Sequence, residues 1–179
     1  MICAIHQPQY LPWLGYFDKM DKADVFVFYD DTQFKKNEWQ NRNKIKTAQG
    51  WQWLTVPVLH DFGQEIRQVQ VNSNVDWARK HLNALISNYS RAAHFAAHRE
   101  FLEDAFARKW THLVDVNLHF IQYVMEQLGI QKRTLRSSEL GVTGVATEAL
   151  IGICKRVGAD TYLSGVGGRD YLDERRFAE

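Results

Sequence analysis

Three polar clusters in this 179-residue sequence have residue types suited to handling phosphate. The first is His6 with Gln7, Pro8, Tyr10 and Gly15, directly after the apolar run at 2–5. A histidine just past a first strand can donate to a phosphoryl group at the N-terminus of the next helix, where free N–H groups also point. The plainer reading is a histidine that satisfies local backbone groups. The second cluster is Asp30 with Asp31, after the apolar run at 25–29. Paired carboxylates can take a proton, contact magnesium or bind a ribose, and a capped turn is the alternative. The third is Ser164-Gly165-Val166-Gly167-Gly168-Arg169. Glycines after a strand let backbone N–H groups approach an anion, and Arg169 can reach back to it. No Gly-Lys-Ser/Thr follows, so this is not a Walker A loop, and the spacing lacks a full GxGxxG.

Between the second and third clusters lies a basic stretch. Gln33 and Phe34 lead into KKNEWQNRNKIK, where Lys35, Lys36, Arg42, Lys44 and Lys46 face one acid, Glu38. Asn37, Gln40, Asn41 and Asn43 are interleaved with the charges. A solvated loop accounts for such a run in most proteins. Here it follows a strand end, and an anion site is the favoured reading, with Arg42 as a planar fork and lysines as point charges.

The elements that must hold these clusters are legible. Pro8 and Pro12 end the first run, because proline fixes φ and lacks an N–H. The segment 13–22 is amphipathic, with Leu14, Phe17 and Met20 on one helical face. Strand, turn, helix, strand opens an α/β domain with a parallel sheet, and in such sheets ligands sit beyond the carboxyl ends of the strands. Residues 51–56 and 66–71 alternate and read as strands. Helices are expected at about 76–88, 91–108 and 111–128, the last stopped by Gly129. Residues 133–138 read as a strand, and a helix capped by Thr143 or Thr147 runs to Val157 and stops at Gly158. Residues 161–164 are a last strand. The expectation is a single α/β domain over 1–179 with a mostly parallel central sheet, Rossmann-like or HUP-like in three layers, and a helical insert at about 76–129.

Composition excludes several classes. A net charge of +1 gives no global field toward nucleic acid or membrane, which argues against a nucleic-acid partner. No apolar run approaches a membrane span, and the N-terminus does not read as a signal peptide. Cys3 and Cys154 sit in apolar runs and read as buried free thiols in a reducing cytoplasm. His94 and His98 have helical two-histidine spacing, but HFAAH lacks the glutamate of HExxH, so no metal site is assigned. No Gly-x-Ser-x-Gly elbow argues for hydrolase chemistry.

Taken together, HQPQYLPWLGYFDKM, DVFVFYDDTQFKKNEWQNRNKIK, WLTVPV, ICKRVGAD and TYLSGVGGRDYLD resemble the WbqC-like protein family, in order and across essentially the whole chain. That resemblance implies a setting in bacterial O-antigen, other surface-polysaccharide or secondary-metabolite gene clusters, and for some members acyl or aminoacyl transfer onto an amino sugar. It also implies a further C-terminal segment with a His-Pro-x-Tyr-x-Gln pattern beyond Glu179. A looser resemblance is to HUP-class nucleotidylyltransferases. His6 to Gly15 is similar in position to their histidine motif, and Ser164 to Arg169 to their late signature. Tyr16-Phe17 stands where the second histidine is expected, which weakens the case for adenylyl transfer but not for nucleotide binding.

The reading is a cytoplasmic group transferase of surface-polysaccharide assembly, binding a nucleotide or nucleotide-sugar; its cofactor is left open, with Mg2+ accompanying a nucleotide as the candidate. His6, Asp30 and Asp31 are the catalytic candidates. Gln7, Tyr10, Gln33, Lys35, Arg42, Asn43, Lys46, Ser164, Gly165, Gly167, Gly168 and Arg169 are the candidates for holding substrate or phosphate. A non-catalytic scaffold of the same machinery is the alternative, and an RNA-binding module using the basic run with Trp39 and Trp51 is a third.

Overall fold

Strand β1 (Ile2–His6) pairs in parallel with β2 (Val25–Phe28), and helix α1 (Leu14–Asp21) makes the crossover between them. In the computed structural model, which describes residues 1–165, 167–168 and 172–177, the chain folds as two compact units. The first comprises Met1–Pro8, Trp13–Thr32 and Val124–Glu179, and the second Gln9–Pro12 and Gln33–Tyr123.

The first unit is built on a four-stranded parallel sheet. Its order is β7-β2-β1-β8, where β7 is Arg133–Arg136 and β8 is Thr161–Leu163. Helix α5 (Thr147–Val157) carries the chain from β7 over to β8. Cys3, Ile5, Val25 and Val27 pack on one face with Leu150, Ile153 and Cys154 of α5. The other face is covered by α1, whose Tyr16 ring lies against Phe26. Both faces are therefore buried, which is why β1 and β2 read as unbroken apolar runs. This is the Rossmann-like three-layer arrangement expected. One detail differs: Leu14 is 74% exposed, and Tyr16 joins Phe17 and Met20 on the buried face of α1 instead. Gly158, at φ 79°, ends α5 in the left-handed conformation that suits glycine.

The second unit holds two small antiparallel pairs and three helices. The larger pair is β3 (Arg42–Thr47) with β4 (Gly50–Thr55), and the smaller is β5 (Val58–Leu59) with β6 (Gln70–Val71). Helices α2 (Trp77–Tyr89), α3 (Phe95–Ala107) and most of α4 (Leu113–Gln127) complete it. Tyr10, Phe34, Leu54, Ile66, Trp77, Phe106 and Phe120 share its core.

The second half of the basic run forms strand β3. One sequence expectation fails in this unit. Residues 66–71 are not one strand: Ile66–Gln68 is a 3-10 turn fixed by a capping box between Glu65 and Gln68, and only Gln70–Val71 pairs. No helix among the described residues is long and apolar enough to cross a membrane.

Candidate functional site

The chain leaves β1 toward β2 and later returns by α5 to place β8 on the opposite side of β1. The gap between β1 and β8 is thus the topological switch point, where open α/β sheets take their ligands beyond the carboxyl ends of the strands. His6 closes β1 and Ser164 follows β8, so both flank that gap.

The His6 ring lies edge-on to Tyr16 with 4.9 Å between centroids, and its Nδ1 is 3.2 Å from the Gln7 carbonyl oxygen. A carbonyl only accepts, so Nδ1 carries the proton and Nε2 keeps its lone pair. Burial, and secondarily the positive charge of Lys19, lowers the imidazole pKa to about 4, against the opposing effect of the bond to Gln7. At neutral pH His6 is therefore a neutral ring whose Nε2 accepts. The sequence reading cast it as a donor to phosphate; the geometry makes it an acceptor for the proton of a hydroxyl or amine.

Lys19 is the residue that sequence reasoning missed. It extends from α1 over the end of β1, where Nζ donates to the Ile5 carbonyl at 2.9 Å. The same Nζ stands 5.9 Å from the ring centroid of Tyr162 on β8. Lys19 thus spans the switch point beside His6. Burial lowers its pKa to about 8, the nearby Cys3 acting the other way. Among the described residues no carboxylate pairs with it. Cys3 itself stays a thiol, its pKa raised by its hydrogen bond with Cys154 and by burial, so it is no nucleophile.

The two aspartates have separate fates. Asp30 is fully buried. Its carboxylate accepts from Arg136 Nε at 2.6 Å, from the Ser138 backbone N–H at 3.1 Å and from Ser138 Oγ at 3.0 Å. Its own N–H donates to Ser137 Oγ. These bonds clamp the end of β2 to the end of β7, which leaves Asp30 a structural carboxylate rather than the base or magnesium contact expected from sequence. Ser137 Oγ gives its proton to Asp31 at 2.5 Å. The other carboxylate oxygen of Asp31 takes no hydrogen bond that the described residues supply.

Ser164 Oγ donates to the Gly165 carbonyl at 3.0 Å, and the Gly168 N–H donates to the same carbonyl at 2.9 Å. Gly165 and Gly167 are exposed, with open space where a Cβ would stand. At Gly168 a Cβ would run into Ser164 Oγ, so that glycine serves close packing. Arg169 lies outside the described residues.

The remaining candidates belong to the second unit. Tyr10 is fully buried, its hydroxyl 2.8 Å from His81 Nδ1, so it faces protein and not substrate. Asn43 Nδ2 is spent on the Tyr10 and Leu11 carbonyls, at 3.2 and 2.6 Å. Gln33 forms a bridge with Glu65, and Lys35 is anchored through its N–H to Gln40 Oε1, its side chain exposed. The register of β3 with β4 sets Lys44 opposite Trp53 and Lys46 opposite Trp51. The Arg42 guanidinium sits 4.1 Å from the Trp53 ring centroid, and Lys44 Nζ 3.9 Å from that of Trp51. Trp39 extends the aromatic row, 5.7 Å from Trp53. Among the described residues, Lys35, Arg42, Lys44 and Lys46 have no acidic partner, and the buried Arg42 Nε has no hydrogen-bond acceptor. No group of three His, Cys, Asp or Glu among the described residues is placed to hold a metal.

An uncharacterized protein of Mycobacterium tuberculosis is 41% identical over 179 residues, covering 98% of this chain and 77% of its own length. No solved structure matches the chain. The model of the WbqC-like protein family matches residues 7–179, so the chain belongs to the WbqC-like protein family.

Proposed function

We propose that the chain is a group transferase that binds a nucleotide or nucleotide-sugar at the carboxyl edge of the first unit's sheet and moves an acyl, aminoacyl or nucleotidyl group in surface-polysaccharide assembly. The observation that carries this reading is the pairing of Lys19 with His6 at the switch point: a partly buried cation with no carboxylate partner among the described residues, beside a neutral imidazole with an accepting Nε2. A phosphate supplies the negative charge that Lys19 lacks, as a charge-assisted hydrogen bond. The N–H groups of Gly165 and Gly167, and Arg169, are the further anion contacts in this reading. His6 Nε2 takes the proton of the attacking hydroxyl or amine, and a bound phosphate raises its basicity because negative charge favours the imidazolium. Asp31 is the carboxylate left to touch a magnesium ion carried in on the phosphates. The polysaccharide setting rests on the family resemblance.

The test is a thermal-shift screen of ATP, UDP-sugars and dTDP-sugars, with and without magnesium, on the wild type, Lys19→Met and His6→Ala. A ligand at a hundredfold its Kd stabilises by about 2.7 kcal/mol. One nucleotide class should raise the midpoint, Lys19→Met should lose that shift, and His6→Ala should keep the shift but lose turnover. No shift with any of them ends this reading in favour of a non-catalytic scaffold.

A further inference from the structure

The second unit contains a groove of about 400 Å³ that the phosphate reading does not use. Its walls are the carbons of Leu11, Leu85, Tyr89, Phe95 and Leu102, with His98 at the side. The size falls in the range of small-molecule sites, which are mostly apolar with a few placed polar groups. Two features mark it as more than a packing fault. Leu11 lies at φ 45°, a conformation that bulky L-residues avoid, and the Asn43 amide bonds to its carbonyl at 2.6 Å. Strain of this kind persists where the surroundings impose it, and it is held here at a groove wall. The second feature is charge. Strand β3 borders the groove at two points, through Asn43 to Leu11 and through the Lys46 N–H to the Tyr89 hydroxyl at 2.8 Å. That puts the backbone of Lys46 against Tyr89 at the groove's border; the Lys46 side chain is exposed and has no acidic partner among the described residues, and Lys44 stands two residues before it on the same face of β3.

We propose that this groove takes the alkyl chain of a soluble single-chain amphiphile, with its anionic head, a carboxylate or phosphate ester, on Lys46. The apolar wall accounts for a chain and the unpaired lysine for an anion, and their junction at Tyr89 asks for both in one molecule. The groove lies wholly within the second unit, so the inference does not rest on the nucleotide reading.

The test is calorimetric titration with laurate and with dodecyl phosphate, each below its aggregation concentration. Inorganic phosphate, dodecanol and phosphatidylglycerol vesicles serve as the other arms. One-to-one binding of laurate or dodecyl phosphate is expected, with inorganic phosphate not binding. Comparing the two names the head group. Leu11→Gly relieves the positive φ while removing a groove wall, so it should leave the protein folded and abolish binding. Lys46→Glu should weaken binding about tenfold through charge reversal, with dodecanol unaffected. Undiminished binding in both variants overturns the proposal. So does binding to the vesicles alone, which would make this a membrane-facing surface, and so does equal binding of inorganic phosphate, which would make it an anion patch without a chain site.

Discussion

The Tyr10 hydroxyl donates to His81 Nδ1 across 2.8 Å in the core of the second unit. The direction follows from chemistry. The other side of the His81 ring bonds to the Thr55 carbonyl, which only accepts, so Nδ1 is the bare nitrogen. Burial raises the Tyr10 phenol well above its ordinary pKa and lowers His81 to about 4, so both are neutral and the O–H is the only proton between them. Tyr10→Phe removes that donor and leaves Nδ1 buried without a partner. It should cost about 1–3 kcal/mol in urea unfolding. The nucleotide binding proposed for the first unit's sheet edge should be unchanged. A loss of binding with stability intact would return Tyr10 to the substrate contacts expected from the sequence.

Asp30 and Asp31 are adjacent in the chain and should behave differently. Asp30 is buried in its bonds to Arg136 and Ser138. Asp30→Asn leaves the Arg136 guanidinium without its countercharge, and breaking such a pair costs about 3–5 kcal/mol. Asp31 is half-buried and loses a single bond, to Ser137. Asp31→Asn should cost about 1 kcal/mol, in the range of a typical hydrogen bond, and lower any magnesium dependence of nucleotide binding. Chemical denaturation of both variants decides it. Equal losses would mean that Asp31 belongs to the same clamp.

The contrast between these aspartates also marks how far the sequence could be read. The strands of the first unit were legible because a sheet buried on both faces writes itself as apolar runs, and Gly158 marks the end of α5 by its backbone alone. His6 and Ser164 were placed correctly at the sheet edge because strand ends are local features. What Asp30 does was not legible: its partners Arg136 and Ser138 lie 106 and 108 residues away, and only pairing of β2 with β7 brings them together. The basic run hid a strand because its charges alternate on one face while only Ile45 is buried on the other. Alternation at 66–71 misled in the opposite direction, since the Glu65–Gln68 capping box is a local contest that the turn wins. Lys19 carried no signal, because a lysine on an amphipathic helix is ordinarily solvated. Its burial is set by where α1 crosses β1.

The same burial gives Lys19, His6 and His81 a signature in the dependence of stability on pH. Each binds its proton less tightly in the folded chain than in the unfolded one. For His6 and His81 the window runs from the ordinary 6.5 down to about 4. Within it the unfolded chain holds protons that the folded chain lacks, so stability is full above the window and falls as pH drops through it, by up to about 3 kcal/mol per histidine. For Lys19 the window runs from about 8 to 10.5. The cost of burying its charge is present in full below the window and is relieved as pH rises through it. The N-terminal amine is held up from its ordinary 8.0 by its bond to Asp160, and the Cys3 thiol is held up from 9.0 by Cys154 and by burial. These two, and above about pH 10 the buried phenols of Tyr10 and Tyr16, act with the opposite sign, so the lysine is read from the difference between the wild type and Lys19→Met. Urea midpoints at pH 4.5, 7, 8 and 9.5 should therefore rise across the acid limb, and the wild type should gain on Lys19→Met between 8 and 9.5. Lys19→Met should be more stable than the wild type at pH 7 and should keep the acid limb. A difference between the two that does not change from 8 to 9.5 would show that Lys19 is solvated, and would remove the cation on which the proposed phosphate site rests.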